Sequence, residues 1–114
     1  MPGPTEIFDY VIIGAGAAGS ILADRLSADG AHSVCLLEAG PGDDHPWLRI
    51  PAGFVKVLFD ERFTWPFQTE PSHWSGGRPI PIPQGRVLGG SMAINGLAYT
   101  RGQAEDFDAW AAAR

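Results

Sequence analysis

Only one cysteine, Cys35, occurs among the 114 residues. No internal disulfide can form, and its place in a strand-like run predicts a buried structural thiol. Charge is also sparse. Charged residues make up 18% of the chain, with 8 basic against 13 acidic and a net charge of −5. The basic residues are scattered, which excludes a nucleic-acid or anionic-membrane footprint as the reading of choice. No apolar run approaches the length that spans a bilayer. Met1–Ile7 carries neither a basic nor an apolar stretch, so no secretion signal is read there and a cytoplasmic location is expected. His32, His45 and His73 are far apart and sit in turn-like contexts. That spacing suits surface histidines and predicts no metal site.

What the chain does have is apolar residues, at 45%, together with 15 glycines and 10 prolines. The composition is that of a globular protein. The rest of the sequence is arranged around Phe8–Ser20, FDYVIIGAGAAGS. Val11, Ile12 and Ile13 predict a short strand covered on both faces. Gly14, Gly16 and Gly19 follow with the spacing G-x-G-x-x-G. The first allows a sharp turn, the second allows a pyrophosphate to approach the main chain, and the third allows a helix to pack on the strand. Ile21, Leu22 and Leu26 recur at helical spacing, and Gly30 is a plausible stop. A second strand is expected over Ser33–Leu37. It ends at Glu38, 19 residues after Gly19, near where this fold places a ribose-binding carboxylate. Residues 8–40 thus read as a Rossmann-like βαβ unit that binds a dinucleotide.

Beyond Gly40 the pattern changes to long irregular stretches that hold most of the prolines. Ala39 to Gly42 form a small-residue turn that can lie against an adenosine. Phe54, Val55, Leu58 and Phe59 predict one face of a helix from Pro51 onward. Trp65 and Phe67 share a face of an extended segment that Pro66 confines to an edge. Ser75–Gly77 reads as a turn, and the alternate prolines of Arg78–Pro83 bar a central strand. Gln103–Arg114 reads as a helix with Glu105 and Asp106 at its positive end and an apolar stripe of Phe107, Trp110 and Ala111 packing inward. So much extended loop in a small domain, and a chain ending within a helical pattern, lead us to expect the amino-terminal piece of a larger FAD- or NAD(P)-binding α/β fold.

A second glycine run, Gln84–Gly102, reads QGRVLGGSMAINGLAYTRG. Gly89 and Gly90 again allow close backbone approach, while Ser91 and Asn95 offer groups that bond a polar ring edge. This run resembles the signature of the glucose-methanol-choline oxidoreductases, a family of FAD enzymes. The matching positions are Gly85, Arg86, Leu88, Gly89, Gly90, Ser91, Ile94, Asn95, Tyr99 and Gly102. TWPFQTEP and GRPIPIPQGRVLGG are similar to the choline dehydrogenase-like branch. Two positions depart from the pattern: Met92 stands where a second small residue is usual, and Gln84 where many relatives carry a basic one.

The resemblance implies an FAD site. Gly14, Ala15, Gly16 and Gly19 would hold the pyrophosphate. Glu38 would take the ribose hydroxyls, with Ala39 and Gly40 beside the adenosine. Arg86, Val87, Gly89, Gly90 and Ser91 would line the flavin end. Asn95, Gly96, Leu97 and Ala98 would run along the isoalloxazine and ribityl chain. It also implies oxidation of a small-molecule alcohol, with hydride passing from the alcohol carbon to flavin N5 and an electron acceptor that these residues do not specify. The family's catalytic histidine region has no counterpart here, so no catalytic residue is assigned, and a separate substrate domain is expected outside these residues. A nicotinamide-dependent dehydrogenase, or a nucleotide-binding module without chemistry, are the alternatives. GRVLGGSMAIN has no task in a nicotinamide enzyme.

Overall fold

The computed structural model describes residues 5–113. Met1–Pro4, part of the segment read as lacking a leader, and Arg114, the expected end of the last helix, lie outside the described residues.

Strand β1 (Tyr10–Ile13) and strand β2 (Val34–Leu37) pair in parallel, from Tyr10 opposite Val34 to Ile13 opposite Leu37. Helix α1 (Ala17–Ser27) is the crossover between them. The start of the pair is pinned by Asp9, whose Oδ2 accepts from the Ser33 N–H at 2.7 Å and from the Ser33 hydroxyl at 2.8 Å. Its far end is closed by the Gly14 N–H donating to the Leu37 carbonyl at 2.7 Å. Gly19 does the task its spacing predicts. A Cβ there would lie 1.9 Å from the Gly14 carbonyl oxygen and 3.3 Å from Ile12 Cγ2, so only glycine lets α1 seat on β1. Gly30, at φ +70°, ends the crossover.

The strand was expected to be covered on both faces. It is not: Ile13 is 87% exposed and Val11 57%, and α1 holds no buried residue. A single crossover helix covers one face of a two-stranded sheet and leaves the other open. Cys35 is accordingly half-buried.

The compact part lies elsewhere. Val57, Phe63, Val87 and Ile94 form the buried cluster, with Leu48, Leu58 and Ala93 packed against it. They come from α2 (Pro46–Arg49), α3 (Phe54–Val57), α4 (Ser91–Ile94) and the segments between. The predicted stripe Phe54, Val55, Leu58 and Phe59 is corrected here. Val57 is buried, while Val55 and Phe59 are exposed. The stretch from Pro51 is a 3₁₀ turn over Pro51–Gly53 followed by an α-helix of only four residues, Phe54–Val57, and its inward side is centred on Val57 and Leu58. Gly53 lies so close to Trp47 that a Cβ would come within 1.9 Å of its carbonyl oxygen. His45 is also more than a surface residue. It caps α2, its Nδ1 accepting from the Trp47 N–H at 3.3 Å, and its ring packs 5.1 Å from that of Phe63.

Strand β3 (Thr64–Gln68) pairs antiparallel with β4 (Pro81–Gly85), setting Pro66 opposite Pro83. A two-stranded ribbon is all edge, which is where proline is tolerated. The turn between them carries Gly76 and Gly77 at φ +64° and +74°. Helix α5 (Ala104–Ala112) begins with Glu105 and Asp106 as expected. Its stripe is not packed inward: Phe107 and Trp110 meet edge to face at 5.6 Å and stay exposed.

Candidate functional site

The two glycine runs touch each other directly. The Gly89 N–H donates to the Ala15 carbonyl at 2.8 Å. Gly90, at φ +60°, is so close to Gly16 that a Cβ would come within 2.8 Å of the Gly16 Cα. Close approach at Gly89 and Gly90 therefore serves first to bring one glycine segment onto the other. A third segment joins them. A Cβ on Gly40 would lie 1.9 Å from the Arg86 carbonyl oxygen, and the Leu88 N–H donates to the Pro41 carbonyl at 2.9 Å. Gly40, expected beside an adenosine, is small because the Arg86–Val87 peptide crosses over it.

Glu38 ties the same region together. Its Oε2 accepts from the Ala15 N–H at 2.8 Å and its Oε1 from the Gly40 N–H at 2.9 Å. One carboxylate thus fixes the glycine turn after β1 to the turn after β2. Each oxygen retains a lone pair for a further donor. Ala15 itself is fully buried, with its N–H and carbonyl both engaged within the chain.

Around this junction is an open cleft of about 600 Å³. Of the expected site residues, Gly14, Gly16, Glu38, Ala39, Gly90 and Ser91 line it. Ala15, Gly19, Gly40, Val87 and Gly89 do not line it; the close approaches and hydrogen bonds above place four of them behind its wall, and Val87 belongs to the buried cluster. Asn95, Gly96, Leu97 and Ala98 line a separate, shallower depression with Tyr99. There the Asn95 Oδ1 accepts from the Leu97 N–H at 2.7 Å, supporting Leu97 at φ +57°. Ser91 lines the cleft but its hydroxyl is already bonded, accepting from the Gly85 N–H at 2.9 Å and donating to Gln84 Oε1 at 3.2 Å. Gln84, the departure from a basic residue, thus holds Ser91. Ile13, Ala17, Leu37, Trp65, Gly85 and Met92 complete its lining. Trp65 was read only as part of an edge segment. No local spacing pointed to its place here.

The chemistry of the cleft suits a diphosphate joined to ring systems. Space over Gly14 and Gly16 is open, since a Cβ at either would meet no heavy atom within 4 Å. Gly16 is the N-cap of α1 and supplies no side-chain cap. The first N–H groups of an eleven-residue helix therefore lie at the cleft, with the positive end of its dipole. Among the described residues no group of three or more His, Cys, Asp or Glu is placed to hold a metal ion.

Residues 8–114 match the family model for GMC oxidoreductases. The chain is 46% identical over 104 residues to an alcohol dehydrogenase [acceptor] of Pseudomonas putida, covering 91% of this chain and 19% of that protein. It is 47% identical over 103 residues to an oxygen-dependent choline dehydrogenase of Photobacterium profundum, covering 90% and 18%. Among solved structures, pyridoxine 4-oxidase of Mesorbium loti superposes with a TM-score of 0.75 at 38% identity, covering 91% of this chain and 20% of that one. A formate oxidase of Aspergillus oryzae gives 0.73 at 31%, covering 90% and 18%. This chain belongs to the GMC oxidoreductases, a family of FAD-dependent flavoproteins. Its fold is that of their amino-terminal FAD-binding segment, and it spans about a fifth of the length of these relatives.

Proposed function

We propose that this chain is the part of a flavoprotein alcohol oxidoreductase that seats FAD, with residues 8–40 taking the nucleotide half and residues 84–102 the flavin half. The observation that carries the reading is the direct junction of the two glycine runs, Gly89 N–H to Ala15 carbonyl, at the wall of one cleft. The α1 N-terminus and the open backbone of Gly14 and Gly16 would hold the pyrophosphate. Glu38 would fix the glycine turn and offer its remaining lone pairs to ribose hydroxyls. Gly90 and Ser91 would face the ring end. When bound, FAD supplies the two-electron acceptor for oxidation of an alcohol carbon, and the protein's share is to orient it. The alcohol and the reoxidant are set by residues outside this segment.

The test is a titration of the full-length protein that carries this segment with FAD and, separately, with NAD⁺, followed by tryptophan fluorescence. Saturable binding of FAD with no response to NAD⁺ is expected. Preference for NAD⁺ would move the chain to the nicotinamide dehydrogenases, and no binding of either would leave it without this function.

A further inference from the structure

A depression of about 140 Å³ adjoins the cleft, between the second glycine run and the stretch from α2 to α3. Met92 lines both, so the two openings meet at its side chain. Trp47, Phe54 and Leu97 are among the apolar walls, and Arg49 is the one charged side chain among the described lining residues. The walls are tied to each other. A Cβ on Gly96 would lie 3.4 Å from Phe54 Cε2, so the segment from Asn95 to Leu97 rests on the start of α3.

Two hydrogen-bond donors are left over here. Arg49 Nε donates to the Asp43 carbonyl at 3.3 Å, which ties down the side chain and leaves its two Nη groups. Among the described residues Arg49 pairs with no carboxylate; the ion pairs there join Arg25 to Asp24 and Arg62 to Asp60. The second donor is Asn95, which also lines the depression. Its Oδ1 takes the Leu97 N–H at 2.7 Å, which sets the amide and leaves Nδ2 as the unused end. A guanidinium fork matches the two oxygens of a carboxylate. Apolar walls suit carbon around the rest of the ligand. The volume is about the share of five waters, below the roughly 300 Å³ at which whole drug-sized ligands begin to fit. It suits a short acid, or the acid end of a longer one.

We propose that this depression is a binding site for a small organic carboxylate, with Arg49 as its ion-pair partner and Asn95 Nδ2 as a second donor. The site goes beyond the FAD reading and does not depend on it. It gives Arg49 a ligand where the chain itself supplies no counter-charge.

The experiment is equilibrium dialysis of radiolabelled butanoate against the full-length protein that carries this segment. Saturable binding is expected. Unlabelled pentanoate should compete, while butanamide, a neutral analogue of the same shape, and tetramethylammonium should not. Arg49→Met should weaken butanoate about tenfold, and Arg49→Lys by less, because the charge remains. FAD content, read from flavin absorbance after desalting, should be the same in the parent and both variants. Activity then locates the acid. Oxidation of 4-hydroxybutanoate in preference to 1-butanol, lost in Arg49→Met, would place the carboxylate on the alcohol itself. No such preference would make it a separate ligand, and the site stands in either case. No saturable binding to the native protein, equal competition by butanamide, or undiminished binding in Arg49→Met would overturn the site and leave the FAD reading untouched. Butanoate bound as expected by a protein that takes up no FAD would keep the site and sink the FAD reading.

Discussion

At the scale of single residues, Glu38 and Gly40 hold the turns after β1 and β2 together, and the proposed function adds a ligand role for Glu38. Hydrogen bonds to a charged acceptor contribute about 1.5–3 kcal/mol, and Glu38 makes two to backbone N–H groups. Glu38→Ala should therefore lower the melting temperature and weaken FAD by about tenfold or more. Calorimetry with and without FAD measures both, and unchanged values in both would remove Glu38 from the site. Gly40→Ala isolates packing from backbone strain, because Gly40 has no positive φ while its Cβ would strike the Arg86 carbonyl. It should cost at least about 1–3 kcal/mol, read as a lower urea midpoint. The position of Glu38 was legible from its distance to Gly19. Its partners were not, because they depend on where Ala15 and Gly40 come to rest. The junction of Gly16 with Gly90 was hidden for the same reason: local spacing says that a glycine permits close approach, and is silent on what approaches.

Elements were legible where one periodicity ran unbroken. β1, α1 and β2 fell where apolar spacing and glycines placed them, within a residue or so. The helical stretch after Pro51 did not, since a 3₁₀ turn runs into a four-residue helix there and the short helix packs on Val57 and Leu58 in place of Val55 and Phe59. The link between α3 and β3 is ordered instead by polar contacts. Asp60 accepts from Arg62 Nη2 at 2.6 Å and from Arg62 Nε at 3.0 Å, and its carbonyl takes the Thr64 hydroxyl at 3.0 Å. The Arg62 side chain holds the Asp60 carboxyl down at about 2, and the Ser33 N–H and hydroxyl hold Asp9 below the ordinary aspartate range. A depressed folded value means a contribution present above about pH 4 and lost as pH falls through the folded value. Melting temperature should thus be flat from neutral pH to about 4 and fall between there and the folded values, near 2 for Asp60. Asp60→Asn should flatten part of that fall and Asp9→Asn another part. An acid limb identical in both variants and the parent would show that these carboxylates do not couple to folding.

For the whole molecule, burial decides what the chain can do by itself. Its radius of gyration is 18.7 Å, against about 13 Å for a compact domain of this length. Among the described residues the large buried side chains number five, Val57, Phe63, Thr64, Val87 and Ile94, while Ile7, Ile13, Trp74 and Tyr99 are each at least 87% exposed. A core this small offsets little chain entropy, and open apolar surface on β1, α1 and α5 favours association. The sequence did signal the shortage through its loops and prolines, but it misplaced the core, because a strand rich in Val and Ile reads as buried whether or not anything covers it. Glu38 is the one titratable side chain among the described residues that line the cleft, and both its oxygens already serve backbone N–H groups. We therefore expect no base for an alcohol hydroxyl among them. The 114-residue chain should bind a hydrophobic dye, unfold over a broad range, and leave FAD oxidised when primary alcohols are offered without oxygen. Bleaching of the flavin band faster than with free FAD would contradict this, and would place the proton-accepting group among residues that here act as scaffold.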